Sequence, residues 1–422
     1  MADNNADEFP VATTRAPGVM GVDWEERVDF ERLRTHRLER VRRQLDAHGL
    51  GALLLFETSN IRYATATQIG YWAFNKGERW ALITRHGRPR IWDFGSAAKA
   101  HRLQLPHLYD TENSIGGNTG LQGAIGPEAG LHARAAQEIA AALREEGVGG
   151  EPLGVDMAET SVFLALQKEG LTVTDGQQAM MMAREIKSPD EIVLLSQASA
   201  MVDGVYQDIF ENLKPGVRES DIVGLAHARL FEMGSEFVEA INSIAGERCS
   251  PHPHVFSDRI IRPGDQAYFD IIHAYNGYRT CYYRTFVVGR ATQAQRDAFR
   301  QAREWMDAGI ELVRPGNTTD MIAKVWPKAE DFGFADEMDA FGLQFGHGVG
   351  VGLHERPIIS RLNSLNDPIE IREGMYFALE TYAPAKDGRS AARIEEMMVV
   401  TADGPKVTTL FPCEELMVAN QY

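Results

Sequence analysis

Residues 268–286 read Tyr-Phe-Asp-Ile-Ile-His-Ala-Tyr-Asn-Gly-Tyr-Arg-Thr-Cys-Tyr-Tyr-Arg-Thr-Phe, and the reading of this stretch decides the fold. It lies in a region, Phe237 to Val288, whose pattern is that of strands separated by polar turns. Three later stretches belong with it: Gly346-His347-Gly348-Val349-Gly350, Phe377-Ala378-Leu379-Glu380 and Arg393-Ile394-Glu395-Glu396. Asp270, Cys281, His347, Glu380 and Glu395 thereby fall on short strand-like pieces of one C-terminal domain. Carboxylates and one imidazole arriving from separate strands are the donor set of a hard or borderline metal ion such as Mn, Fe, Co or Zn. Taken singly, each has a plainer explanation: a hydrogen-bonded core histidine, or a strand glutamate facing solvent. The ordered set carries the inference.

Working outward, the preceding half alternates strands and helices. Leu33, Arg37, Val41 and Leu45 fall at helical spacing within 27–48, and Gly49 stops that helix. Ala52–Phe56, Trp80–Thr84, Arg90–Phe94 and Leu153–Asp156 read as strands, and Ala135–Leu143 and Val162–Gln167 as helices. The expectation is an α/β (α+β) protein of two domains. Residues 1–25 form an arm, 26–185 an N-terminal α/β domain, and 186–422 a second domain carrying the site. At the junction, Ser188-Pro189-Asp190-Glu191 is a capping-box start for a helix to about Asn212. A second helix is expected at 219–233, a third from Thr292 to about Val313, and a fourth over Thr318–Phe332 with Pro327 as a break. Phe341–Gly352, Met375–Tyr382, Arg393–Thr401 and Thr408–Leu410 read as strands.

Bulk properties exclude several classes. The 422 residues favour two domains, and a net charge of −17 argues against nucleic acid or an anionic membrane as partner. No apolar run of spanning length occurs, and the acidic N-terminus does not read as a signal peptide. Three cysteines, Cys249, Cys281 and Cys413, fit a reducing compartment, so the expected location is cytoplasmic.

The second half resembles the pita-bread family of methionine aminopeptidase, Xaa-Pro aminopeptidase, prolidase, creatinase and the dimethylsulfoniopropionate lyases. The resemblance rests on Gly264-Asp265 with Phe269-Asp270, Gly277-Tyr278 with Arg284-Thr285, and Gly346–Gly350 with His354-Glu355-Arg356-Pro357. It extends to Gly374-Met375 with Glu380, and to Arg393-Ile394-Glu395. Asn60–Thr65 and Ile91–Phe94 look most like the lyase branch.

The resemblance implies a homodimer acting on a small molecule. In metal-dependent relatives five side chains hold two ions, and by motif they fall on Asp270, position 281, His347, Glu380 and Glu395. The bridging aspartate is here Cys281. Three readings follow. One transition-metal ion, Zn or Fe, is bound by Cys281, His347, Glu380 and Glu395, with Asp270 as base or supporting group. The pocket is metal-free, as in creatinase. Or Cys281 bridges two ions. His252 matches the family histidine that meets substrate or moves protons, with His254 the alternative after a two-residue slip, and His354 matches the second family histidine. Arg284 is expected in a buried ion pair, and His273 in a structural role.

Tyr283 stands where creatinase has an acid, which argues against creatine as substrate. Arg62, Tyr71, Trp72 and Trp80 are candidates for substrate contact, through a carboxylate for Arg62 and cation–π attraction for the aromatics. Core and dimer packing is the plainer reading of the aromatic stretch. The function expected is a hydrolase or lyase cleaving a C–N or C–S bond in a small carboxylate-bearing molecule, with His252, Asp270, His354 and Glu380 as catalytic candidates. The alternatives are an Xaa-Pro aminopeptidase or prolidase, and a non-catalytic binding protein on the same fold.

Overall fold

The computed structural model describes residues 28–74, 77–343 and 345–422. The expected arm, 1–25, lies outside them. No helix among the described residues is long and apolar enough to cross a membrane.

The first domain is built on a six-stranded sheet in the spatial order 114–116, 90–93, 80–84, 52–55, 153–155, 173–175. Ala52–Leu55 is antiparallel to Trp80–Thr84 and parallel to Leu153–Val155. Alternate side chains of this strand serve two cores. Leu53 and Leu55 pack with Leu33, Val41, Leu45 and Ala179 of helices Phe30–Ala47 and Gln177–Glu185. Ala52 and Leu54 pack with Ala136, Ile139 and Val162 of helices Leu131–Glu145 and Thr160–Lys168. With helices on both faces, the strand reads as an unbroken apolar run. The residues that mark the first helix, Leu33, Arg37, Val41 and Leu45, are the four that it buries. Asp29 caps it, accepting from the N–H groups of Glu31 and Arg32 at 3.0 Å each.

Trp80 belongs to this second core and is a correction to the substrate-contact set. It is 1% exposed and stacks on Trp92 at 5.8 Å and on Phe56 at 6.1 Å within the core of the first sheet, the packing role that is the plainer reading of the aromatic stretch.

The helix Pro189–Asn212 starts with the expected capping box at Ser188 and Glu191. Helices Glu219–Glu232 and Gln293–Glu311 also appear where the pattern places them. Two five-stranded sheets follow. One runs 417–419, 283–288, 266–275, 237–245, with the short strand Tyr278–Arg279 attached to Gln266–Tyr275. The other runs 355–359, 346–348, 376–384, 391–401, 404–407.

Odd-numbered Ala267, Phe269 and Ile271 face helices Pro189–Asn212 and Glu219–Glu232, packing with Val202, Tyr206 and Ile222. Phe377, Leu379, Ile394 and Met398 face helix Gln293–Glu311, packing with Ala298, Phe299 and Met306. Because side chains alternate along a strand, Asp270, Tyr283, Glu380 and Glu395 are left on the inner faces, where the two sheets meet. Thr285 Oγ1 bonds the Arg393 carbonyl at 2.6 Å and accepts from its N–H at 2.9 Å, tying the sheets beside the site.

Two expected elements are shorter than read, and the strand expected at Thr408–Leu410 lies instead at Gly404–Val407. Thr318–Phe332 yields only the helix Thr319–Ala323 and a single tight turn at Ala329–Phe332; Pro327 between them has no N–H and cannot continue a helix. Among the described residues of Phe341–Gly352 only Gly346–Gly348 is strand.

Candidate active site

Asp270 is central. On one side it is paired in register with Asn242, on the other with Tyr283. Its Oδ2 accepts from Asn242 Nδ2 at 3.0 Å and its Oδ1 from the Tyr282 N–H at 3.1 Å. Burial, with the nearby Glu380 charge adding to it, pushes its carboxyl up to about 6 against the pull of the Tyr282 N–H. Cys281 follows Tyr278–Arg279 and brings its Sγ to 3.9 Å from Asp270 Oδ1. Burial first, then Asp270, Glu395 and Glu380, holds its thiol well above the ordinary range.

Glu380 and Glu395 are direct cross-strand partners on Tyr376–Pro384 and Ala391–Thr401. Their environments differ. Glu380 Oε2 accepts from Arg393 Nη2, whose buried guanidinium also stacks 4.4 Å from the Tyr283 ring. Glu395 is fully buried and neither of its oxygens has a hydrogen-bond partner. Burial, reinforced by Glu380 and Asp270, raises its carboxyl well above the usual range.

His347 is fully buried as well. Its Nδ1 donates to the Gly348 carbonyl at 3.0 Å, so the lone pair resides on Nε2. That nitrogen has no hydrogen-bond partner and lies 3.9 Å from Glu395 Oε1. Burial pulls its pKa down to about 4, which keeps the ring neutral.

Among the described residues, one ligand atom each from Cys281, His347 and Glu395 lies within 4.8 Å of the others. Orphaned buried donor atoms on His347 and Glu395 are what a bound cation would satisfy, and thiol, imidazole and carboxylate form a donor set suited to Zn or Fe. The residues present fit a metal ion. Of the expected ligand set, Cys281, His347 and Glu395 form this cluster, while Glu380 is paired with Arg393 and Asp270 with Asn242.

His252 lies in the loop after strand Phe237–Ala245. The loop is held by the buried Glu219, whose carboxylate accepts from the Ala245 and Ser257 N–H groups at 2.8 Å each and pairs with Arg248. His252 Nε2 is 2.9 Å from the Tyr283 hydroxyl, and its Nδ1 accepts from the His254 N–H at 3.2 Å. Burial, then the Arg393 charge, moves its pKa far below the ordinary histidine value. His254 stacks on it at 3.8 Å, so of the two it is His252 that engages Tyr283. His354 is exposed beside His347, ring centroids 4.6 Å apart.

Arg284 forms the expected buried ion pair, with Glu396 at 2.9 Å. His273 is structural, bonded to Ser235 Oγ and the Ala198 carbonyl at 3.0 Å each.

Of the first domain's other substrate-contact candidates, Arg62 and Tyr71 lie at the domain junction and Trp72 at the surface. Arg62 is bound through two nitrogens to Glu236, at 2.7 and 3.1 Å. Tyr71 stacks on Phe237 at 3.8 Å and its hydroxyl donates to Glu236 at 3.1 Å. Trp72 is 60% exposed and packs against Phe94. Arg62 and Tyr71 join the first domain to the edge strand of the second. The sequence reading missed Asn242, which links Asp270 to Tyr283 by donating to both. A lone amide in the run Phe237–Ala245, most of it apolar, was the available signal.

Residues 37–186 match the Creatinase/Prolidase N-terminal domain, and residues 193–402 match Metallopeptidase family M24. The chain belongs to the pita-bread family that these two domains build. It is 32% identical over 240 residues to the "Probable dipeptidase PepE" of Mycobacterium tuberculosis, an alignment covering 56% of this chain and 61% of that protein. The chain thus spans about three fifths of the length of the curated dipeptidases it matches (61% for this one). It is 25% identical over 408 residues to the dimethylsulfoniopropionate lyase DddP of Roseovarius nubinhibens, covering 93% of this chain and 89% of that one. The solved structure of dipeptidase PepE from Mycobacterium ulcerans superposes with a TM-score of 0.72 at 22% identity, over 94% of this chain and 100% of that one, a likeness of fold.

Proposed function

We propose that the chain is a metal-dependent hydrolase or lyase that cleaves a C–N or C–S bond in a small, carboxylate-bearing molecule. The observation that carries this is the convergence of Cys281, His347 and Glu395 with three orphaned buried ligand atoms. Without a cation, Asp270, Glu380 and Glu395 crowd three acids into a buried space with Arg393 as near counter-charge. One divalent Zn or Fe held by Cys281, His347 and Glu395 would relieve that repulsion and supply Lewis-acid polarisation of a reacting oxygen.

The chain's own residues do the rest. Asp270, with a pKa raised to about 6 and an orientation fixed by Asn242 and Tyr282, is placed to take a proton near neutral pH. Arg393 holds Glu380 in place. Likeness along nearly the whole chain to a lyase of a sulfonium acid supports a small substrate. A second reading, an Xaa-Pro dipeptidase, is favoured by the higher identity to a dipeptidase, 32% over 240 residues. Against it stands Cys281 in place of the family's bridging carboxylate.

Metal analysis of the purified protein, together with a screen of betaines, sulfonium acids, ureido acids and Xaa-Pro dipeptides, tests the proposal. The expected result is about one equivalent of transition metal and turnover abolished by chelator. Metal below about a tenth of an equivalent, with turnover surviving chelation, sinks the metalloenzyme reading.

A further inference from the structure

His252 and Tyr283 divide their roles in a way that hydrogen-bond accounting makes visible. His252 Nδ1 accepts the His254 N–H, so in the neutral ring the proton is on Nε2. That N–H, 2.9 Å from the Tyr283 hydroxyl, must donate to it. Asn242 Nδ2 donates to the same oxygen at 3.1 Å while its other hydrogen goes to Asp270. The Tyr283 oxygen therefore accepts two hydrogen bonds, and its own O–H finds no acceptor among the described residues. Tyr283 is 2% exposed, so this is a buried donor with both of its acceptor positions filled. The ring is pinned by the Arg393 guanidinium on its face at 4.4 Å and by His252 edge-on, the two rings at 90°. It stands on the inner face, in register with Asp270.

We infer that Tyr283 is a catalytic residue whose O–H donates to the substrate oxygen on which negative charge develops, and that His252 and Asn242 are positioning residues acting through it. In a hydrolysis that oxygen is the carbonyl of the bond being cut; in an elimination it belongs to the carboxylate next to the carbon losing its proton. The phenol is aimed before substrate arrives, since two donors and two ring contacts leave its O–H little freedom to turn. The inference rests on the reading that this site binds substrate.

The test uses the full-length, metal-loaded protein with ring-carbon 13C-tyrosine labelling. The Tyr283 resonance is identified as the one missing from Tyr283→Phe. Alanyl-proline and dimethylsulfoniopropionate are the probes, each titrated separately. Saturating probe is expected to shift that resonance in the wild type, and to shift it less in Asn242→Ala. No shift with either probe overturns the inference. If no compound is turned over but the resonance moves, the catalytic reading falls while the hydrogen bond stands.

With a turned-over compound, Tyr283→Phe is expected to lower kcat about 100-fold, the loss seen for one oxyanion donor, with KM changed less than about threefold. His252→Ala in the Tyr283→Phe background is expected to cost less than about twofold more, because its effect is already gone. Independent, additive losses overturn the assignment of His252 as a positioning residue, and a kcat within about twofold of wild type for a folded Tyr283→Phe protein overturns that of Tyr283. If Tyr283→Phe does not fold, the comparison of Asn242→Ala with wild type decides, with about a tenfold loss of kcat expected and no loss overturning the inference.

Discussion

Two sets of buried carboxylates lie in the second domain, a short distance apart in sequence, and their oxygens are used differently. Glu355, next to His354, is fully satisfied: its Oε2 accepts from Lys187 Nζ at 2.8 Å, its Oε1 accepts from the Gly352 N–H at 2.9 Å, and Arg184 Nε lies 3.3 Å away. Burial alone would raise its pKa, but the charges of Lys187 and Arg184 outweigh burial and leave it below the ordinary value. Glu395 is equally buried, has no partner on either oxygen, and is shifted the opposite way. Burial is therefore not what separates a structural carboxylate from a chemical one. The separation comes from whether the fold supplies the compensating charge itself or leaves the place for something bound.

The largest effect expected from breaking this contrast is on the satisfied side. Glu355→Gln leaves Lys187 buried at the domain junction without its anion and Arg184 with only Glu57, 3.7 Å away, at a cost of about 3–5 kcal/mol, read as a lower urea midpoint. The same variant carries a pH signature. Glu355 has a folded-state pKa below its reference of 4.5, so its contribution is complete above that value and is lost as pH falls through the folded value. The melting temperature of the wild type should fall more steeply than that of Glu355→Gln over this acid range. Parallel slopes would show that the pair contributes nothing.

Next in size is the unsatisfied side. His347→Ala or Glu395→Gln should weaken zinc binding at least about 100-fold, measured by competition with a chromophoric chelator. The urea midpoint of the metal-free protein should hold or rise for Glu395→Gln, because an uncompensated buried acid is removed. A fall of the kind expected for Glu355→Gln would place Glu395 among the structural carboxylates and erase the contrast.

Which parts of this were legible from residues follows from the range of the interactions. The helix Phe30–Ala47 and the capping box at Ser188 are local, and both appear as read. Alternation along Tyr376–Pro384 and Ala391–Thr401 is local too, so Glu380 and Glu395 could be put near one site. Their different fates could not, because Arg393 chooses Glu380 across the strand pair and no periodicity encodes that choice. Asn242 acquires its meaning only from a register that sets it opposite Asp270. Trp80 reads as a substrate candidate as well as a core residue because its neighbours in sequence, Tyr71 and Trp72, lie at the junction and the surface. It occupies a strand of the first sheet, and the helices covering that sheet put it in the core.

The smallest effect tests the edge of the contrast, where a charge pair is neither fully buried nor unsatisfied. The Arg62 and Glu236 side chains are 19% and 25% exposed and share their contacts with the Tyr71 hydroxyl and the Gly277 N–H. Water screens such a pair, so Arg62→Ala should cost about 1 kcal/mol or less in the urea midpoint. Both Arg62 terminal nitrogens are already spent on Glu236, so KM for a carboxylate-bearing substrate should stay within about twofold of wild type. A rise of tenfold or more would mean that Arg62 leaves Glu236 to meet the substrate, and that the domain junction closes over the site during turnover. In that event the first domain, here joined to the second by Arg62, Tyr71 and Phe237, would be part of the catalytic machinery rather than its support.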